Sequence, residues 1–168
     1  QFFKEEQLEM NKVDALYDNV LEQTGIQITP MVNNIDEERI ERGIVIIAID
    51  SMKERVRLGE IYKDKDIYII DGRMGGTEME IYSCPASKYL STTCDAKDVD
   101  PTPCTAKSIS FNCATIGSFI ANNVRLKLND KLEDNEIHFG FDSYNLLKGK
   151  IWKSISHTKD KNSLMEIK

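Results

Sequence analysis

The run Ile44-Val45-Ile46-Ile47-Ala48-Ile49 constrains the fold more than any other stretch, because six consecutive apolar residues empty directly into Asp50, Ser51 and a charged segment. An unbroken run of this kind predicts a strand over 44–50 that is buried on both faces, the habit of parallel sheets. Gly43 marks its start. Ser51 followed three residues later by Glu54 has the spacing of a capping box, in which a hydroxyl and a carboxylate satisfy the free backbone donors of a helix start. Asp50 is therefore expected at the carboxyl end of a strand and just before a helix. In open parallel sheets that edge forms the ligand crevice, and the adjoining helix amino terminus favours anions such as phosphate. The plainer reading is an aspartate that only steadies the helix start.

The flanking segments extend this pattern. Met10, Val13, Leu16, Tyr17, Val20 and Leu21 recur at helical spacing within 6–23, and Gly25 ends that helix. Ile26, Ile28, Met31 and Val32 suggest a short strand, and Asp36 to Arg42 a charged helical turn. After the 44–50 strand, a helix over 51–62 would turn Met52, Val56 and Ile61 or Tyr62 inward, and 66–71 reads as another strand. This is βαβ grammar, with two or three parallel strands expected.

Beyond Asp71 the grammar changes. Asp71-Gly72-Arg73-Met74-Gly75-Gly76 separates two β-rich runs and predicts a hairpin that turns the sheet antiparallel. The hairpin is preferred there to a phosphate loop, because the glycines lead into the strand Met79-Glu80-Ile81-Tyr82 and not into a helix. Residues 83–105 hold three prolines and three cysteines without periodicity, so they read as a long crossing loop. Ile109, Cys113, Ile116, Ile120 and Val124 then predict a helix from Ala106 to Leu128, with Gly117 marking close packing. Segments 136–142 and 148–153 read as a terminal hairpin around Asn145 to Gly149, and the stretch after His157 as a polar, frayed tail.

Composition narrows the partners. A chain of 168 residues that is 40% hydrophobic fits one domain with a real core. A net charge of −6 without any Lys/Arg run argues against nucleic acid, which demands a concentrated basic face. The apolar stretches fall well short of the ~20 residues that span a bilayer, and the amino terminus lacks a signal-peptide core. No membrane and a cytoplasmic location are the expectations. Cys84, Cys94, Cys104 and Cys113 form no C-x-x-C pair for zinc or redox work, and disulfides are not expected in that compartment. His138 and His157 are too scattered for a metal cluster and read as strand or surface residues.

The order of these parts resembles the ThiF/MoeB/HesA superfamily, relatives of the ubiquitin-activating enzymes. Gln1-Phe2-Phe3 is similar to the end of that family's Asn-x-x-Arg-Gln segment, and Asn11-Lys12-Val13-Asp14-Ala15-Leu16 to its lysine-led helix. Ile28-Thr29-Pro30 is similar to the family's next strand, and Ile46-Ile47-Ala48-Ile49-Asp50-Ser51 to its strand ending in Asp, with Arg55 one helical turn later. Pro103-Cys104-Thr105 stands where the family re-enters its fold after a crossover loop. The resemblance covers nearly the whole chain. It implies an α/β, Rossmann-like mixed sheet, parallel in the first half with antiparallel hairpins after it, a crossover loop over about 83–105 and a long helix in the C-terminal half. The partial adenylation domain would occupy 1–156, with a polar tail over 157–168.

The implied activity is ATP-dependent adenylation of the C-terminal carboxylate of a ubiquitin-like or sulfur-carrier protein ending in Gly-Gly. Asp50 would act with magnesium and the α-phosphate, or near the carrier's terminal glycine, and would be the metal ligand. Ser51 would line the nucleotide site, Lys12 would reach the phosphates and Gln1 would flank the nucleotide. Arg55 would steady the site or the carrier's tail; read alone, it is an ordinary surface arginine, as Lys12 is a solvated helix lysine. Cys104, just before a helix whose amino terminus lowers a thiol pKa, is the candidate for a thioester or persulfide, with Cys94 second. Cys113 reads as core and Cys84 as the end of a strand. The family also suggests a homodimer. Its glycine-rich nucleotide turn and the acidic ribose ligand are not in this sequence, so a fragment that binds ATP poorly is expected. Two other readings stay open: a non-catalytic nucleotide- or protein-binding module of the same fold, and a different Rossmann-like enzyme. The second is disfavoured because the hairpin comes too soon for a dinucleotide-binding second half.

Overall fold

The computed structural model describes residues 4–33, 35, 40–93, 110–141, 147–152 and 164–167. The chain divides into two compact units, Gln1–Arg39 and Ile40–Lys168. In the first, a 3-10 turn at Glu5–Gln7 precedes helix α1 (Lys12–Thr24). Gly25 ends α1 in the left-handed region at φ +72°, a conformation that glycine adopts without strain. The interior of this unit is polar as well as apolar, because the buried Gln7 donates from Nε2 to Asn19 Oδ1 at 3.1 Å and to the Ala15 carbonyl at 3.3 Å. Leu16, expected inside, is 48% exposed. Ile26, Ile28, Met31 and Val32 form no strand and are exposed, since four apolar residues interrupted by Pro30 have no sheet neighbour to satisfy their backbone. The turn expected over 36–42 lies mostly outside the described residues.

The second unit is an α/β arrangement around one mixed sheet in the order β1 to β6. Its strands are β1 (Arg42–Ile47), β2 (Asp66–Gly75), β3 (Glu78–Pro85), β4 (Asn135–Phe141), β5 (Leu147–Trp152) and β6 (Leu164–Ile167). Among the described residues only β1 and β2 run parallel, linked through helix α2 (Met52–Tyr62), and every later pairing is antiparallel. The βαβ expectation is thus met by one parallel pair. Strand β1 has only β2 beside it among the described residues, and Ile46 is 51% exposed, so the double burial expected for 44–50 is not found there. It belongs to β2, where Ile67 to Gly72 are all buried. An apolar run identifies a strand, but coverage depends on which strands lie centrally.

The hairpin is present, with a tighter turn than the glycine run suggests. Strand β2 continues through Gly75, and Gly76-Thr77 alone connect it to β3, with Gly76 at φ +59°. Residues 83–93, read as the start of a loop, complete β3 and form a short helix α3 (Ala86–Tyr89) and a 3-10 turn (Leu90–Thr93). The rest of that loop, 94–105, lies outside the described residues. Helix α4 (Ser110–Leu128) covers one sheet face, packing Ile116, Ile120 and Val124 on Tyr68, Ile70, Met79, Ile81, Ile137 and Phe139. Gly72 admits this approach, since a Cβ there would stand 2.7 Å from Ile120 Cδ1. Gly117 does not, because its missing side chain faces open space. Strands β4 and β5 pair antiparallel as expected, with Gly149 within β5 opposite Phe139, while 142–146 between them lie outside the described residues. In the stretch read as a polar tail, Leu164–Ile167 forms β6.

Candidate functional site

Alternation along β2 sends Gly72 toward α4 and Asp71 to the other face, where α2 and α3 lie. On α2, the residues buried against this face are Arg55, Leu58, Gly59 and Tyr62, a strict helical stripe. Of the inward positions expected at Met52, Val56 and Ile61 or Tyr62, Tyr62 is fully buried, and Met52, Val56 and Ile61 are half-buried flanks of the stripe. Gly59 lets α2 close on the α3 segment, as a Cβ would meet Leu90 Cδ2 at 2.6 Å and Tyr89 Cδ1 at 3.1 Å.

Asp71 is the centre of the site, with no solvent exposure. Its Oδ1 accepts from Arg55 Nη1, and its Oδ2 accepts from Arg73 Nε at 2.7 Å and from the Tyr89 hydroxyl at 2.9 Å. Arg55 Nη2 donates to the Ile49 carbonyl and, at 3.1 Å, to the Gly72 carbonyl. Arg73 in turn donates to the Thr92 carbonyl and hydroxyl, both at 2.9 Å, and lies over the Tyr82 ring at 4.0 Å. Two guanidinium groups share one buried carboxylate, and Glu80, opposite Arg73 on β3, and Asp50 add negative charge that Arg55 feels. Burial lowers the Arg55 pKa to about 10, opposed by the charges of Tyr89 and Asp50. It stays charged at neutral pH.

Beside this cluster the chain leaves β1 through Ala48, Ile49 and Asp50, all exposed. Ser51 then caps α2, its Oγ accepting from the Glu54 amide at 3.2 Å. The reciprocal half of the capping box is taken elsewhere, as the Glu54 carboxylate pairs with Arg57 Nε at 2.7 Å. The structure therefore brings Asp50, Ser51 and Arg55 together at the carboxyl end of the parallel pair. Arg55 is neither an ordinary surface residue nor open to a ligand: it is 3% exposed, and both terminal nitrogens are engaged internally.

No family model, curated protein or solved structure matches the chain.

The site therefore rests on the geometry alone. Lys12, exposed at the start of α1, belongs to the first unit, whereas Asp50 belongs to the second. Gln1, Cys94, Cys104 and His157 lie outside the described residues. Cys84 is fully buried in β3, and burial pushes its thiol up to about 12, which removes it as a nucleophile. Cys113, read as core, is exposed on α4; the inward position at that turn is held by Asn112, whose Nδ2 donates to the Gly76 carbonyl at 2.5 Å. His138 is a strand residue as expected, with Nε2 2.5 Å from Glu136 Oε1 and Nδ1 3.3 Å from Glu80 Oε1. Among the described residues no group of three or more His, Cys, Asp or Glu side chains could hold a metal ion, and no helix is long and apolar enough to cross a membrane.

Asp71, Arg73 and Tyr89 were not among the residues read from the sequence as functional. Asp71 had a signal, being a carboxylate that directly succeeds the apolar run Ile67-Tyr68-Ile69-Ile70 within one strand. Arg55 had one too, at helical spacing from Leu58, Gly59 and Tyr62.

Proposed function

We propose that this chain is part of an enzyme that activates the C-terminal carboxylate of a ubiquitin-like or sulfur-carrier protein by adenylation, with Asp50 at the reacting centre. The observation that carries the reading is Asp50 itself: an exposed carboxylate at the carboxyl end of a parallel β1–β2 pair, immediately before the capped start of α2 and beside the buried Arg55–Asp71–Arg73 cluster. Phosphate-bearing ligands of α/β proteins favour this edge, because helix donors and crevice walls converge there.

The reaction requires a carboxylate oxygen to attack the α-phosphorus of ATP, forming the acyl–phosphate bond as the bond to pyrophosphate breaks. Two anions must approach, so fixed positive charge and a metal ion lower the barrier. Magnesium commonly uses one or two protein carboxylates together with substrate phosphates, and a lone exposed Asp50 fits that mode, whereas it would not fit a metal held by protein alone. When bound, magnesium would neutralise charge on the phosphates. Asp50 would hold it, Ser51 would keep the α2 amino terminus in place beside the nucleotide, and the guanidinium groups around Asp71 would hold the turn that carries Asp50. Cys104, with Cys94 second, would serve any later thioester or persulfide. A cytoplasmic homodimer completes the reading.

The experiment is pyrophosphate exchange into ATP by the full-length protein, with and without a ubiquitin-like protein ending in Gly-Gly. Exchange that requires the free C-terminal carboxylate is the expected result. Nucleotide binding without exchange would favour the non-catalytic module, and absence of both would reject the reading. In the same mixture, a reducible carrier adduct should disappear with Cys104→Ala; one that disappears only on changing Cys94 would reassign the nucleophile.

A further inference from the structure

The last parallel pair of the β1–β2 ladder is Ile47↔Asp71. Ala48, Ile49 and Asp50 lie beyond it, so the β1–β2 ladder does not hold the peptide that carries Asp50. Arg55 Nη2 takes over that task by binding the Ile49 carbonyl, one residue before Asp50, and the Gly72 carbonyl, one residue beyond the end of the ladder on β2. Its Nη1 is tied to Asp71. One planar guanidinium thus joins three points: the Asp50 turn, the β2 backbone and a buried carboxylate. A lysine offers no such fork. The guanidinium is itself oriented, because Asp71 receives Arg73 Nε and the Tyr89 hydroxyl, and Arg73 is fixed by Thr92.

We infer that Arg55 is a positioning residue that sets where the Asp50 carboxylate stands, and that Asp71, Arg73 and Tyr89 fix the orientation of Arg55. Burial excludes direct contact with a ligand at the open edge. Stability alone does not account for the arrangement, since a buried ion pair is generally no more stabilising than apolar side chains of the same volume. The α2 cap at Ser51 fixes the chain on one side of Asp50 and Arg55 fixes it at Ile49 on the other, and a shift of about 1 Å in a reacting group costs on the order of 100-fold in rate. The catalytic part of this inference rests on the adenylation reading; the structural part does not.

Two variants of the full-length protein, Arg55→Lys and Tyr89→Phe, separate these parts when three quantities are measured: the unfolding midpoint, amide hydrogen exchange of the 48–53 peptide, and kcat and KM for ATP in pyrophosphate exchange. Tyr89→Phe removes one hydroxyl and keeps the ring, so it remains folded even if Arg55→Lys does not. Both variants should exchange amides at 48–53 about tenfold faster or more while the β2 and β3 amides stay protected, which marks a local opening. The value of kcat should fall about 100-fold in Arg55→Lys and less in Tyr89→Phe, with KM for ATP little changed, the signature of lost transition-state geometry. Unchanged protection at 48–53 in Tyr89→Phe would overturn the proposed orientation of Arg55. A rise in KM at constant kcat would overturn positioning in favour of ligand contact. If the wild type shows no pyrophosphate exchange, the adenylation reading fails, and the amide measurements still decide whether Arg55 holds the turn.

Discussion

Asp71 can be buried without solvent only because every lone-pair direction that matters is met. It accepts from two guanidinium groups and a phenol, and removing one partner from such a pair leaves a buried charge that costs about 3–5 kcal/mol. Cys84, also buried, has no cationic partner at bonding distance among the described residues. Its thiol rises from an ordinary value near 9 to about 12, chiefly from burial, with Asp134 adding to the shift. Burial also raises Tyr68 and Tyr82. For all three the folded pKa lies above the unfolded one, so their contribution to stability is complete below the unfolded pKa and is lost as pH climbs through the folded one. For Cys84 that window runs from about 9 to about 12. Native protein treated with iodoacetamide at pH 8 should label Cys113 and spare Cys84 until denaturant is added, as peptide mass mapping would show; labelling of Cys84 in native protein would contradict its place in the core.

At the scale of elements, the two apolar runs 44–49 and 67–70 look alike in sequence but meet different fates. The second is flanked by strands on both sides and covered by α2, α3 and α4, whereas the first stands at the sheet edge with Ile46 half in solvent. Periodicity and the Ser51 cap revealed both strands, the helix between them and α4. They could not reveal strand order, which long-range pairing decides. For the same reason 26–32 misleads: a short apolar run reads as a strand, and only the absence of a neighbour shows that it is not one. The Arg55–Asp71 pair joins a helix to a strand sixteen residues on, so no local pattern announces it. Glycines tell a similar story. Gly149 looks like a turn residue, yet it lies in β5, where a Cβ would stand 2.7 Å from the His138 carbonyl oxygen and from Phe139 Cβ. Backbone cannot yield as a flexible side chain can. Gly149→Ala should therefore cost about 1–3 kcal/mol in urea unfolding, in the range of overpacked sites. Gly117→Ala, facing open space within α4, should be neutral or stabilise by up to about 1 kcal/mol through helix propensity.

At the scale of the second unit, the buried cluster at the carboxyl end of the β1–β2 pair is built from α2, β2 and the α3 segment together. Asp50 stands exposed beside that cluster, and on this position rests the proposal that it is at the reacting centre. Asp50 and Ser51 were visible in the sequence because a strand end and a cap are local; the Asp71 cluster stayed hidden because it depends on the tertiary fold. The decisive measurement is carrier-dependent pyrophosphate exchange in the full-length protein bearing Asp50→Asn, compared with wild type at matched folded fraction. Asp50→Asn keeps the size of the side chain and removes its charge. Exchange should fall by at least about 100-fold while the unfolding midpoint is unchanged, as for loss of a group acting on the transition state. Exchange that persists at the wild-type rate in folded Asp50→Asn would contradict the assignment.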